Sequence, residues 1–324
     1  MLDVVGIGNA IVDVLSHTED AFLEEHGMIK GSMALIDEVM AERLYRASGP
    51  TVQISGGSAG NTVAGIVSLG GTAGFIGKIR NDALGHVYAH DLVSAGVVFK
   101  TPFAMEGPTS GRCLIFVTPD AQRTMNTYLG ASANLSSEDL DEALIASAKI
   151  TYLEGYLFDP PHAKDAFHAA SILAHRAGRR VALSLSDLFC VERHRAEFLH
   201  LVDRHVDIVF ANEDEICALF QTTRLEDAIE NLRPMVQVAA VTRGAKGSLV
   251  LADNQVFEVP AAKAERVVDT TGAGDLYAAG FLFGVASELS PAECGWLGSF
   301  AAAEIISHFG GRPETPLTEF RANV

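Results

Sequence analysis

The sequence predicts an α/β fold: a doubly wound, mostly parallel sheet flanked by helices, with a small β-sheet lid projecting from it. Two patterns predict it. Short apolar runs alternate with helix-period segments over most of the 324 residues, the mark of β-α units covered on both faces. Two stretches, approximately 9–46 and 99–130, break the alternation with strand-like pieces and turns where crossover helices would otherwise stand. The chain therefore reads as a single domain over 1–324 with these stretches as the lid.

The first strand is expected at 4–8, where Val4-Val5-Gly6-Ile7-Gly8 opens the apolar series. Similar runs at 52–55, 72–76, 150–154, 181–184, 208–211 and 236–242 supply further strands. Amphipathic segments at 59–69, 83–95, 137–148, 164–177, 192–204 and 213–220 supply the helices between them. The third of these begins at Ser136 with Asp139 three residues on, a start resembling a capping box. In the lid stretches the strand-like pieces are 33–36, 112–118 and 124–128, separated by turns at Gly107-Pro108 and Thr118-Pro119-Asp120. Toward the end, 248–251 and 255–259 flank Asp253-Asn254 as a hairpin, and two long helices, 276–288 and 291–308, close the fold.

Composition bounds the function. Hydrophobic residues at 48% and charged residues at 20% describe a soluble globular chain with a large core. A formal charge of −17 argues against a nucleic-acid-binding surface, which needs a basic footprint. The four cysteines, Cys113, Cys190, Cys217 and Cys294, lie in apolar runs without C-x-x-C spacing and read as buried thiols in a reducing cytoplasm. The eleven histidines form no zinc motif and read as surface or packing residues. No basic leader precedes the first strand and no apolar run reaches spanning length, so the expected location is the cytoplasm, away from membranes.

The chemistry concentrates at Asp269-Thr270-Thr271-Gly272-Ala273-Gly274-Asp275, which follows Val267-Val268 and runs into a helix. Small residues at 272–274 let a tight turn present several N–H groups at the positive end of that helix, a place for phosphate. Asp275 in the first helical turn is then within reach of an attacking oxygen and can accept its proton. Other glycine signals are weaker. Gly6-x-Gly8 lacks the third glycine of a dinucleotide fingerprint, since Ile11 stands there, and Asn9 and Asp13 suggest hydrogen bonds to hydroxyls. Gly71 to Lys78 fails as a P-loop because Thr72 replaces the first glycine and Ile79 follows the lysine. Gly56-Gly57-Ser58-Ala59-Gly60 matches a G-x-S-x-G nucleophile elbow, and with Asp269 and His308 would give a hydrolase in the order Ser, Asp, His. Against that reading, it leaves Asp275 unexplained. Thr242-Arg243-Gly244-Ala245-Lys246-Gly247 closes a strand with two cations and suits nucleotide phosphates or ribose. Asn212-Glu213-Asp214-Glu215 offers carboxylates that organise Mg²⁺ through water, or simply an acidic helix start.

Taken in order, Gly8-Asn9 with Asp13, Gly56-Gly57 with Asn61, Asn212 with Glu215, and Asp269 to Asp275 resemble the motifs of the ribokinase-like (PfkB) family of sugar and nucleoside kinases over essentially the whole chain. The resemblance implies that Asp13, Gly57 and Asn61 bind the hydroxyls of a sugar ring. It implies Asp275 as general base, and Gly272, Ala273 and Gly274 as the anion hole for the transferred phosphoryl group. ATP is implied at Asn212, Thr242, Arg243, Gly244 and Gly247, and Mg²⁺ through water at Glu215. K⁺ is implied near Asp269 and Thr271, and Arg123 is implied as a lid residue closing on the phosphates. The 111–131 stretch is similar to the adenosine-kinase branch, which implies a nucleoside phosphorylated at its 5′-hydroxyl, with Met33, Leu35, Phe103 and Phe116 as candidate walls for the base. A free sugar or sugar phosphate is the alternative acceptor, and a nucleoside sensor without turnover is another. An uncovered lid sheet suggests a homodimer.

Overall fold

The computed structural model describes residues 1–120 and 122–321. In chain order the first half holds β1 (Leu2–Ile7), β2 (Ile11–His17), α1 (Asp20–Glu25), β3 (Met33–Leu35), α2 (Glu38–Ala47), β4 (Thr51–Ser55), α3 (Ser58–Ser68), β5 (Ala73–Ile76), α4 (Ala83–Ser94), β6 (Val98–Phe99), β7 (Gly111–Val117) and β8 (Arg123–Tyr128). The second half holds α5 (Glu142–Ala146), β9 (Ala148–Glu154), α6 (Pro161–Arg176), β10 (Arg180–Ser184), α7 (Leu188–His205), β11 (Ile208–Asn212), α8 (Glu213–Phe220) and α9 (Leu225–Leu232). It ends with β12 (Val238–Thr242), β13 (Ser248–Ala252), β14 (Gln255–Val259), α10 (Ala273–Ala286), α11 (Pro291–Ile305) and α12 (Thr318–Arg321).

Nine strands form the large sheet in the order β14-β13-β12-β11-β10-β9-β1-β5-β6, and five form the small one in the order β3-β8-β7-β2-β4. The large sheet is parallel from β12 to β6, and the β13–β14 hairpin adds an antiparallel edge. Alternation along the strands divides the core. Val4, Ile150, Tyr152, Ala182 and Ile208 face one apolar layer with α3, α10 and α11. Val5, Leu153, Val181, Leu183 and Val209 face the other with α6, α7 and α9. Helix α10 is apolar on all sides because it is enclosed on all sides, with ten of its residues buried. Asp253 and Asn254 both take positive φ in the β13–β14 turn, as a two-residue hairpin of right-handed strands requires.

Three expectations need correction. The run at 52–55 does not belong to the large sheet: β4 pairs antiparallel with β2 in the small one. An apolar strand pattern is the same in either sheet, and only the partner decides. The expected helix at 137–148 breaks into a 3₁₀ turn, Ser137–Asp139, and the short α5. Ser136 with Asp139 does make a reciprocal capping box, but Asp141 caps a second start and β9 claims the chain from Ala148. The 9–46 stretch also contains β2, α1 and α2 besides the expected strand, with Asp37 capping α2 by accepting from the Met40 N–H. Helix α9 fills a gap that the alternation left as a connection. Among the described residues no helix is long and apolar enough to cross a membrane.

Candidate active site

A cleft of about 880 Å³ opens between the carboxyl ends of the large sheet's strands and one face of the small sheet. That is where ligands bind in open α/β sheets. Gly272 is the N-cap of α10 with φ 77°, a left-handed turn that suits glycine. The turn is held by the Asp269 carboxylate, whose Oδ1 accepts from the Thr271 N–H at 3.0 Å. Among the described residues the N–H groups of Gly272, Gly274 and Asp275 meet no acceptor, and all three residues line the cleft. Gly274 has open space where a side chain would stand, so its missing Cβ leaves access to these donors. Orphan N–H groups at the start of a fourteen-residue helix fit a phosphate.

Asp275 sits in the first turn of α10, its carboxylate aimed by two donors from α3. The Ser58 hydroxyl donates to Oδ1 at 2.6 Å and the Asn61 amide to Oδ2 at 3.0 Å. Burial pushes its carboxyl above the usual range, against the pull of these bonds and of Arg312. Asp13, on β2, has no protein donor among the described residues, and its carboxyl is pushed up to about 7, mainly by burial, with Asp275 adding repulsion. An aimed carboxylate and an unsatisfied one therefore share the cleft. Chain geometry brings them there. Gly56 lies so close to the Asp13 carboxylate, and Gly57 so close to the Asn9 carbonyl, that a Cβ at either would overlap them, and Gly57 also has φ 81°.

The pfkB family carbohydrate kinase model matches residues 34–317. The chain belongs to the pfkB kinase family. It is 50% identical to the adenosine kinase of Sinorhizobium meliloti, with 99% of each chain covered and a TM-score of 0.92. It is 45% identical to a probable sugar kinase of Rhizobium etli CFN 42, covering 99% of this chain and 98% of that one at a TM-score of 0.92. It is 25% identical to adenosine kinase 2 of Arabidopsis thaliana over 97% of this chain and 96% of the relative. The fold is thus the ribokinase-like one, and the protein is a phosphotransferase with a hydroxyl group as acceptor.

In this pfkB kinase the other expected residues divide sharply. Asn212 and Glu215 line the cleft and lock each other in a capping box. Glu215 Oε1 accepts from the Asn212 amide at 2.7 Å and Oε2 from its N–H at 3.0 Å, while burial pushes the Glu215 carboxyl up to about 7. No cluster of three metal-ligating side chains exists among the described residues, and both Glu215 oxygens are engaged by Asn212. Thr242 lines the cleft, but Arg243, Gly244 and Gly247 do not. They build a turn beside it: Gly244–Lys246 is a 3₁₀ helix, and Gly247, at φ 83°, lies against the Val259 carbonyl where a Cβ would collide.

Arg123 does not line the cleft either, although its charge favours the ionised form of Asp13 there. Its guanidinium pairs with Asp269 at 2.6 Å and lies over the Phe309 ring, 5.0 Å from its centroid. Opposite charges buried side by side satisfy each other first. The same pair removes the fit for K⁺, because a cation beside Asp269 and Thr271 would face that guanidinium, and Asp269 Oδ2 already accepts from the Gly310 N–H. The hydrolase triad does not assemble. Ser58 donates to Asp275, Asp269 pairs with Arg123, and His308 is bonded to Glu304 and to the Phe309 carbonyl. Of the four candidate base walls, Met33 and Leu35 line the cleft. Phe116 packs in the core against Phe22, and Phe103 against His86. Ile115, Met125 and Leu129 stand on the cleft's small-sheet face instead.

Two site residues have no sequence motif. Glu154 ends β9 and is 1% exposed; it accepts from the Asn9 N–H and amide and from the Ala59 N–H, joining the first strand's end to the start of α3. Its carboxylate occupies the space a Cβ on Gly8 would take, which accounts for that glycine without any phosphate. Arg312 is the second, donating to Asn61 from the C-terminal loop.

Proposed function

We propose that this pfkB kinase transfers the γ-phosphoryl group of ATP to the 5′-hydroxyl of a nucleoside, adenosine first among them. The observation that carries the nucleoside reading is the apolar small-sheet face, with Met33, Leu35, Ile115, Met125 and Leu129 over the same cleft as Asp13 and Asp275. A free sugar has no surface to set against five apolar side chains, whereas a base does. The 50% identity to an adenosine kinase supports the same choice. Asp13 and Gly57 take the ribose hydroxyls, while Asn61 acts on the acceptor side chiefly by aiming Asp275. Asp275 accepts the proton of the attacking hydroxyl, and the N–H groups of Gly272, Gly274 and Asp275, with Ala273 in the same turn, hold the charge on the transferred group. ATP supplies the phosphoryl group and Mg²⁺ its charge neutralisation, with Asn212, Glu215 and Thr242 on that side of the cleft. The small sheet serves as the lid that excludes water, and the exposed edge strand β3 offers a homodimer contact.

ATP-dependent phosphorylation of adenosine, guanosine, inosine, cytidine, ribose, fructose and fructose phosphates, with Mg²⁺ and with or without K⁺, tests the reading. A 5′-phosphorylated nucleoside supports it; turnover of free sugar alone replaces it with the sugar-kinase reading, which the 45% identical probable sugar kinase favours. Tight nucleoside binding without ATP consumption would mark a sensor.

A further inference from the structure

Arg312 approaches the base from behind. Its Nε donates to Asn61 Oδ1 at 3.0 Å and its Nη2 to Ser55 Oγ at 3.2 Å, so one side chain of the C-terminal loop ties the end of β4 to the first turn of α3. Arginine only donates, so the oxygen of the Asn61 amide must face it. The amide nitrogen is left facing Asp275, to which it donates at 3.0 Å. A flipped Asn61 would turn its carbonyl oxygen toward the carboxylate it now supports. The loop is shaped for this approach: Gly310 has φ 100°, and a Cβ on Gly311 would press into the Asn61 amide.

We propose that Arg312 is a positioning residue for phosphoryl transfer, fixing the Asn61 amide toward Asp275 and placing positive charge beside both Asp13 and Asp275. The inference rests on Asp275 being the base. The charge of Arg312 opposes the upward push that burial gives to Asp13 and Asp275, and Tyr88, Asp13, Asp91 and Asp275 in turn favour the charged guanidinium. The other charged and titratable groups facing the pair are Arg123 and Cys113 toward Asp13 and Glu154, Tyr152 and Tyr156 toward Asp275. The Tyr88 hydroxyl, buried without a partner among the described residues beside Gly60 and Arg312, adds no competing donor bond to either carboxylate.

The test compares kcat against pH for the full-length protein and for Arg312→Gln, Arg312→Lys and Asp275→Asn, with the acceptor found in the panel above and with melting temperature as the fold control. Arg312→Gln lowers kcat roughly 10–100-fold, the scale of lost orientation, and moves the acid limb up by about one pH unit, because losing a nearby cation favours the protonated carboxyl. Arg312→Lys restores the limb but not full kcat, since one ammonium keeps the charge without the fork. A KM for ATP within about twofold of the wild type accompanies both variants. Wild-type kcat and acid limb in a folded Arg312→Gln overturn the proposal while Asp275→Asn is impaired; wild-type turnover in Asp275→Asn overturns the base and this inference together. Should Arg312→Gln not fold, wild-type kcat in Arg312→Lys overturns it.

Discussion

Replacing Asp275 by Asn separates the base from its surroundings more cleanly than any other substitution in the cleft. The carboxylate accepts from Ser58 at 2.6 Å and from Asn61 at 3.0 Å. An amide of the same shape can keep its oxygen toward the Asn61 nitrogen and turn its NH₂ to the Ser58 hydroxyl, which rotates to accept. Two charge-assisted bonds of ~1.5–3 kcal/mol each become neutral ones of ~0.5–1.5. Against that loss, the desolvation of a buried carboxylate disappears. The two terms oppose each other, so the melting temperature is expected within a few degrees of the wild type, at about 2–4 °C per kcal/mol for a large domain. Catalysis has no such compensation. Loss of a positioned base lowers kcat by ~10²–10⁴, about 3–5 kcal/mol, while the N–H groups of the turn and ATP affinity remain. Steady-state kinetics with isothermal titration of ATP decide it. A kcat above a tenth of the wild type, or ATP affinity falling as far as kcat, would refute the role.

Other outcomes follow from the same geometry. Asp13→Asn removes a half-buried charge that has no protein donor among the described residues, and is expected to raise the melting temperature while raising the acceptor KM ~10–200-fold; an unchanged KM would detach Asp13 from the acceptor. Gly57→Ala puts a Cβ against the Asn9 carbonyl at φ 81°, so melting should fall by several degrees and acceptor KM should rise, with the ATP KM within about twofold. The ligand-free protein should lose stability as pH rises. Asp13, Glu154 and Glu215 have folded values near 7 and unfolded values near 4, so between these limits the folded state holds more protons. Each contributes at most ~1.4 kcal/mol per pH unit, less for the partly exposed Asp13, and a melting temperature that climbs from pH 6 to 8 would contradict the assignment.

The sequence was most readable where chemistry needs contiguous residues. Asp269 to Asp275 announces its turn because strand end, glycines and helix start are adjacent, and the observed φ of Gly272 is what the glycine reading requires. It was least readable where the site is assembled across the chain. Arg312 meets Asn61 across 251 residues and Glu154 meets Asn9 across 145, each through one side chain with no periodicity or motif to mark it. Pattern also cannot say which sheet a strand joins, hence the misplacement of 52–55. Arg243 and Gly247 are legible in sequence only as a glycine-rich strand end, and the φ of 83° at Gly247 is the part of that pattern the backbone itself explains.

Asp13 and Asp275 are both carboxylates pushed up by burial in one cleft, yet their partners divide the work between them. Asp275 already has two donors, which fix its direction and leave lone pairs for a single incoming proton. Asp13 has none from the protein among the described residues, so on the proposed reading the hydroxyls of an acceptor would supply the donors it lacks. A carboxylate that is costly until ligand arrives couples binding to relief of that cost, and an acceptor lacking the matching hydroxyl would leave it unpaid. Discrimination against a deoxy acceptor should therefore exceed what one ordinary hydrogen bond supplies. Compared with the parent nucleoside, a 2′,3′-dideoxynucleoside should lose more than ~10²-fold in kcat/KM in the wild type, and most of that gap should close in Asp13→Asn. A gap of the same size in both proteins would place hydroxyl recognition elsewhere in the cleft.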